Sequence, residues 1–175
     1  QWERALSIFI NMRSAQLTPT VVSFSTAISA CEKCGQWEQA LLFLNEMRKV
    51  GVPNVISFSA SISACEKSGQ WEQALSLLQE MRMAEVTPDV ISFNAIISAC
   101  DKGGHWEPVV ALLRRMREDG VTPNVVSFSA SISACGGLWK QSLLLLNKGR
   151  AAGVTLDVIS FSAAISACEK GGQWQ

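Results

Sequence analysis

The stretch VISFSASISACEKSGQWEQALSLLQEMRMAEVTPD, residues 55–89, decides the fold, because close copies of it fill the rest of the chain. The copies are easiest to follow at their tryptophans, which are separated by 35, 34, 35, 33 and 35 residues and are Trp2, Trp37, Trp71, Trp106, Trp139 and Trp174. A period of this size is typical of solenoids, in which each repeat buries its apolar face against its neighbours. The sequence therefore predicts one elongated domain over residues 1–175, with repeats at about 1–20 (partial), 21–54, 55–89, 90–124, 125–157 and 158–175 (partial).

The second half of the repeat has the pattern of an amphipathic helix. Apolar side chains at i, i+3, i+4, i+7 and i+10 form one stripe, which consists of Trp71, Ala74, Leu75, Leu78 and Met81. Charged and amide side chains occupy the other face. Pro88 follows shortly afterwards and predicts a turn before the next repeat begins.

The first half of the repeat allows two interpretations. Serines alternate with apolar residues from 57 to 63, as in a half-buried strand, yet Phe58, Ile62 and Cys65 also lie at i, i+4 and i+7 of a helix. Gly69 lies where a left-handed residue would end a helix, which favours the helix. A second face would then pack against neighbouring repeats and consists of Ile56, Ala60 and Ala64.

Two repeats depart from the common length. The repeat at 21–54 lacks one residue in its final turn, and the repeat at 125–157 lacks two residues between Cys135 and Trp139. The latter also has Leu156 in place of the turn proline and Gly149 in place of a methionine. We therefore expect its second helix to be the weakest of the array.

Composition and charge narrow the possible functions. Fifteen basic residues balance fifteen acidic ones, so no net field attracts the chain to a polyanion. The apolar runs are far shorter than the roughly 18 residues that a membrane-spanning helix needs. The sequence begins and ends in mid-repeat, so we expect it to be a fragment of a longer protein.

The cysteines are expected to pack as reduced thiols. Five of the six occupy the same place in successive repeats. Packed helices lie about 8 to 10 Å apart, whereas a disulfide needs Cα atoms within about 7 Å. Cys31 and Cys34 form a CxxC, but there is no second pair and His105 is the only histidine. We therefore expect no metal site and no other cofactor.

The repeat resembles the pentatricopeptide repeat (PPR). It begins V-[VI]-S-F-[SN] at residues 21, 55, 90, 125 and 158, carries a Cys–Glu/Asp–Lys segment before a glycine, and ends in Thr-Pro followed by Asp or Asn. The tetratricopeptide repeat is the nearest alternative, but it expects a tyrosine in its first helix and this chain contains none. The resemblance covers the whole chain and implies an all-α, right-handed superhelical solenoid of stacked antiparallel helix pairs.

The resemblance also implies a function. PPR proteins typically bind single-stranded RNA in organelles, so we expect a chloroplast protein, in preference to a mitochondrial one, that acts in RNA processing, stability, editing or translation. In this family the fifth and last residues of a repeat together read one base. The corresponding base-reading pairs here are Ser25 with Asn54, Ser59 with Asp89, Asn94 with Asn124, and Ser129 with Asp157. The family's code assigns A, G, C and G to these pairs in that order.

Two further sets of residues follow from the same resemblance. Aliphatic side chains at the second positions would clamp the bases, and these are Val22, Ile56, Ile91, Val126 and Ile159. Lysines near the ends of the first helices would contact the RNA backbone, and these are Lys33, Lys67, Lys102 and Lys170.

Alternatives to RNA reading stay open from the sequence. Asn54, Asp89 and Asn124 are also good helix N-caps, and removing a cap costs about 1 kcal/mol without any RNA. The array could instead be a protein-binding scaffold in a large organellar complex such as a ribosome or photosystem, which the neutral charge favours. Enzymatic activity is not expected, because the chain lacks the P-C-x-x-C motif of the zinc deaminases that end some PPR proteins.

Overall fold

The computed structural model describes residues 2–51 and 53–172, and these residues contain ten α-helices and no strand. The helices formed by the second half of the repeat are α1 (Trp2–Ser14), α3 (Trp37–Val50), α5 (Trp71–Met83), α7 (Glu107–Glu118) and α9 (Trp139–Ala151). The helices formed by the first half are α2 (Val21–Lys33), α4 (Val55–Lys67), α6 (Val90–Gly103), α8 (Val125–Ala134) and α10 (Val158–Lys170). The ambiguous first half is therefore helical, and the all-α prediction is confirmed. Trp174 lies outside the described residues.

The helix boundaries follow from local sequence. Asn54 accepts a hydrogen bond from the backbone N–H of Ser57 and so caps α4 at its N-terminus. Ser57 completes a capping box by accepting from the Asn54 N–H at 3.0 Å. At the other end, Gly69 has a φ of 69°, a left-handed conformation that suits glycine and turns the chain toward α5. The predicted end of the first helix is thus confirmed.

The first compact unit of the chain is Gln1–Ser92. In it α4 packs against α2, α3 and α5. Phe58, Ile62 and Cys65 are buried in its core, as their helical spacing predicts. The prediction of a second packing face was correct for Ala60, which is buried, and wrong for Ile56, whose side chain is 59% exposed.

The second compact unit is Phe93–Gln175, in which α8 packs against α9 and α10. Gly149, which replaces the methionine of the other repeats, lies against side chains from two other segments. A Cβ atom on Gly149 would come within 3.1 Å of Leu156 Cδ2 and 3.2 Å of Phe128 Cγ. Leu156 and Phe128 therefore fill the space that a methionine takes elsewhere.

The repeated cysteines and tryptophans differ in their burial. Burial raises the pKa of the Cys65, Cys100 and Cys135 thiols to about 11, because desolvation disfavours the thiolate. The tryptophans in the described residues are only half-buried, and the largest fully buried side chains are the phenylalanines of the first helices.

None of the helices in the described ranges combines the length and apolar character that crossing a bilayer requires.

Candidate nucleic-acid interface

The second residue of every first helix is an exposed aliphatic side chain. The exposed fractions range from 52% to 73%, and the residues are Val22, Ile56, Ile91, Val126 and Ile159. Single exposed aliphatic residues are common on protein surfaces. Here the same exposure recurs at the same position, while the phenylalanine two residues later is buried in four of the five helices. The first helices thus present a repeated apolar contact point.

Asp89 joins the beginning of α6 to the side of α4 through one carboxylate oxygen. Its Oδ1 accepts a hydrogen bond from the Ser92 backbone N–H at 2.8 Å and from Ser92 Oγ at 2.7 Å, which caps α6. Ser59 Oγ, in α4, donates to the same oxygen at 3.5 Å and lies 2.8 Å from Ser92 Oγ. The fifth and last residues of the repeat at 55–89 are therefore in contact.

Asp157 repeats this arrangement between α8 and α10. Its Oδ1 accepts from the Ser160 N–H at 2.9 Å, from Ser160 Oγ at 2.8 Å and from Ser129 Oγ at 3.2 Å. Ser129 Oγ also lies 2.7 Å from Ser160 Oγ. The pKa of Asp157 is lowered, mainly by the Ser160 backbone N–H and then by the Ser160 and Ser129 hydroxyls, so the carboxylate is ionised at neutral pH.

Asn94 and Asn124 form the amide version of the pair. Asn94 Nδ2 donates to Asn124 Oδ1 at 3.2 Å, and the backbone N–H of Ser127 donates to the same oxygen at 3.1 Å. Ser127 Oγ donates to Asn94 Oδ1 at 2.6 Å. A third-position serine thus links the fifth and last residues here as well.

Ser25 and Asn54 are the pair that the structure does not join. Asn54 caps α4, but Ser25 Oγ is buried and has no hydrogen-bond partner in the described part of the chain. The hydroxyl of Ser57 donates to the backbone carbonyl of Asn54 at 2.8 Å instead of reaching toward α2. This repeat is the one with the shortened final turn.

The last residues cap the following helices through a single terminal atom. Among the described residues, the hydrogen bonds to the Asn54, Asp89, Asn124 and Asp157 side chains all use Oδ1. The other terminal atom, Nδ2 of asparagine or Oδ2 of aspartate, makes none of these hydrogen bonds. Asparagine Nδ2 donates hydrogen bonds, whereas aspartate Oδ2 accepts them. Capping and base reading are therefore compatible in one side chain.

The third-position serines are site residues that the sequence analysis missed. They lie beside the predicted pairs and are Ser57, Ser92, Ser127 and Ser160. All four are buried. The available signal was the spacing of three residues from each predicted cap, where a capping box more often has glutamate or glutamine. Ser92, Ser127 and Ser160 each reach both the cap residue and the preceding first helix, whereas among the described residues the Ser57 hydroxyl contacts only the cap residue.

The predicted backbone lysines lie at exposed positions, and Lys67 is paired with an acidic residue. Lys67 Nζ lies 2.8 Å from Glu32 Oε1, which belongs to the preceding first helix. Glu32 immediately precedes Lys33, another predicted contact, and an acidic residue likewise precedes Lys102 and Lys170. The positive potential at this end of the first helices is therefore locally offset.

Comparison with known families identifies the repeat. A model described as the pentatricopeptide repeat domain matches residues 1–34, 44–103 and 76–138, and one described as the PPR repeat family matches residues 19–65. Together these matches cover more than half of the chain. No individual curated protein matches the sequence.

Solved structures share the fold at low identity. The pentatricopeptide repeat protein PPR10 from maize is 23% identical with a TM-score of 0.78, over 98% of this chain and 25% of that one. PPR10 in complex with an 18-nt psaJ RNA element is also 23% identical with a TM-score of 0.77, over 99% and 26%. The PPR domain of Arabidopsis thaliana protein-only RNase P 1 in complex with tRNA is 14% identical with a TM-score of 0.73, over 84% and 79%. The chain spans about a quarter of the length of PPR10.

Proposed function

Because the chain belongs to the pentatricopeptide repeat family, we propose that it binds single-stranded RNA and reads one base with each pair of fifth and last residues. The observation that carries this proposal is the geometry of the pairs Ser59–Asp89 and Ser129–Asp157. In each, Oδ1 is fixed by the cap and the fifth-position serine, while Oδ2 makes none of the hydrogen bonds that the structure shows. The complexes of PPR10 with an RNA element and of the RNase P 1 PPR domain with tRNA support RNA as the ligand.

The chemistry of the remaining terminal atom gives each pair its preference. An ionised aspartate only accepts hydrogen bonds, which suits the donor edge of guanine, and Ser59–Asp89 and Ser129–Asp157 are assigned to G. Asparagine offers Nδ2 as a donor, which suits an acceptor on adenine or cytosine. Ser25–Asn54 is assigned to A and Asn94–Asn124 to C. The exposed second-position aliphatic residues, such as Ile56 and Ile91, would contact the base faces.

The electrostatic contribution to RNA binding would be modest. Each phosphate neutralised on a single strand contributes about −0.7 to the slope of log K against log salt. The lysines at the ends of the first helices would supply such contacts, and Lys67 must first give up its pair with Glu32. RNA affinity would therefore depend more on base contacts than on charge.

We place this activity in an organelle on the strength of the family, with a non-catalytic role in RNA processing, stability, editing or translation. A protein-binding scaffold in a large organellar complex is the second candidate. The observations that favour it are the zero net charge and the Lys67–Glu32 pair, which both weaken attraction to RNA.

The test is binding of the purified chain to an RNA containing AGCG and to a scrambled RNA of the same composition, at two salt concentrations. Sequence-specific reading predicts tighter binding of the AGCG RNA at both. Equal, strongly salt-dependent affinities for the two RNAs would contradict base reading and leave the scaffold as the better function.

A further inference from the structure

Ion pairs link successive second helices in the first unit. Arg13 Nη1 of α1 lies 2.9 Å from Glu46 Oε2 of α3, and Arg48 of α3 pairs with Glu80 of α5. Both pairs use the same positions: the arginine lies eleven residues after its tryptophan, and the glutamate nine residues after the next one. The register of the repeats thus places an arginine opposite a glutamate.

The same register places two cations opposite each other in the second unit. The arginine position of α7 is Arg117, but the glutamate position of α9 is Lys148. Both side chains are exposed, and neither makes an ion pair within the described residues. Two like charges repel at this place, whereas the opposite charges of the two pairs in the first unit attract.

An open groove of about 610 Å³ lies between α7 and α9, with Arg117 and Lys148 among its lining residues. We call it the α7–α9 groove. Its apolar lining comes from three helices and includes Val110, Leu113, Phe128 and Leu145. The helix α7 also packs less closely on α8 than α3 packs on α4.

The charges of the groove favour an acidic occupant. Arg114 is already paired with Glu118 at 2.9 Å. Of the other charged lining residues, Glu107 is acidic, whereas Arg117 and Lys148 are basic and make no ion pair among the described residues, so the lining carries a net positive charge. These two residues also line an adjoining depression with Ala151 and Ala152, so an incoming group can reach both. The aliphatic walls offer no hydrogen bond to the edge of a base but suit an apolar side chain.

We propose that the α7–α9 groove binds an acidic amphipathic peptide segment of a partner protein. An apolar side chain of the peptide packs over Phe128 and Leu145. A carboxylate of the peptide lies between Arg117 and Lys148, taking the place that a glutamate of the array takes in the first unit. This surface belongs to the second helices and is separate from the proposed RNA contacts of the first helices.

The probe is a short fluorescent helical peptide with a leucine stripe flanked by glutamates, compared with the same peptide carrying lysines in place of the glutamates. Fluorescence anisotropy with the whole chain should show binding of the glutamate peptide and about tenfold weaker binding of the lysine peptide. Equal binding of the two peptides, or no binding of either, would overturn the proposal.

Charge-reversal variants locate the site. Lys148→Glu and, separately, Arg117→Glu should each restore an ion pair across the groove and weaken the glutamate peptide about tenfold. The double variant should reverse the preference toward the lysine peptide. Lys140→Glu, which makes the same charge change on α9 outside the groove lining, should change the affinity less than about twofold.

Two controls distinguish peptide binding in the groove from loss of the fold and from RNA binding. Circular dichroism and thermal unfolding of each variant establish that the fold is retained. Binding of the AGCG RNA should be unchanged by Lys148→Glu whether or not the chain reads RNA by sequence. If Lys148→Glu weakens RNA binding and leaves peptide binding unchanged, Arg117 and Lys148 contact RNA and the peptide proposal is wrong.

Discussion

At the scale of single residues, Asp89 is a helix cap that the proposed function also makes a base-reading residue. Its Oδ1 accepts from the Ser92 N–H and hydroxyl and from Ser59, while Oδ2 makes none of these hydrogen bonds. The sequence alone presented capping and base reading as competing interpretations. In the structure the capping hydrogen bonds use only Oδ1, so capping does not rule out base reading by Oδ2. A substitution that changes only the second terminal atom can test the two roles separately.

Asp89→Asn is that substitution. Asn54 and Asn124 cap their helices with Oδ1 in the same way, so the cap and the melting temperature should be retained. The new Nδ2 replaces an acceptor by a donor, so the preferred base at this position should change from G to A. Affinities for RNAs that differ only at that base measure the effect, and a uniform loss for both RNAs would mean that Asp89 acts only as a cap. Asp89→Ala is the control that removes the cap, at a cost of about 1 kcal/mol.

The serines Ser25 and Ser59 occupy the same repeat position but should respond differently to alanine. Ser59 Oγ makes hydrogen bonds to Ser92 and Asp89, so Ser59→Ala should lower the free energy of unfolding by about 1 kcal/mol. Ser25 Oγ is buried without a partner in the described residues, so Ser25→Ala should be neutral or slightly stabilising. Urea unfolding of both variants tests the difference, and equal destabilisation would contradict the hydrogen-bond assignment.

At the scale of elements, each first helix has both buried and exposed apolar residues. In α4, Ile62 and Phe58 are fully buried, while Ile56 at the N-terminal end is exposed. The helical period predicted the buried stripe correctly, because packing needs contacts at i, i+4 and i+7. The period also assigned Ile56 to a packing face, which was wrong, since its side chain is 59% exposed.

Ile62→Ala and Ile56→Ala should therefore have different effects, the first on the stability of the fold and the second on RNA affinity. Ile62→Ala removes a fully buried side chain and should destabilise the fold by about 2 to 5 kcal/mol. Ile56→Ala should change stability by less than about 0.5 kcal/mol, because the side chain is exposed. Its effect should instead be a loss of RNA affinity, measured by anisotropy on the folded variant. Unchanged RNA affinity of Ile56→Ala would contradict a clamp role.

At the scale of the whole molecule, basic and acidic residues are equal in number, and some of them also pair with each other on the surface. The zero net charge arises partly from acidic residues that pair with the cations expected to contact RNA, as Glu32 pairs with Lys67. Exposed pairs of this kind contribute little to stability. Their main consequence is that they reduce the positive electrostatic potential that would attract RNA phosphates.

Removing the charge of Glu32 should therefore strengthen RNA binding. Glu32→Gln releases Lys67, so affinity should rise and the slope of log K against log salt should become steeper by about 0.7. Glu38→Gln makes the same charge change on α3, a second helix, and is the matched control. Titrations at several salt concentrations measure both slopes. An identical small increase in both variants would indicate a general charge effect and no contact by Lys67.

The amino-acid sequence was enough to predict the repeat, the second helices, the helix caps and most of the core, and it favoured a helix over a strand for the first half of the repeat. These features depend on residues within one helical hairpin. The apolar residues repeat with the helical period, the N-cap residue bonds to the backbone three residues later, and a glycine ends the helix. All three signals act between residues that are close in sequence. The contacts between side chains of different repeats became visible in the folded structure. Ser92 lies between Ser59 and Asp89, and Glu32 pairs with Lys67. Arg117 and Lys148 line the same groove. These partners lie roughly one repeat apart in sequence, and their contact depends on how neighbouring helices pack.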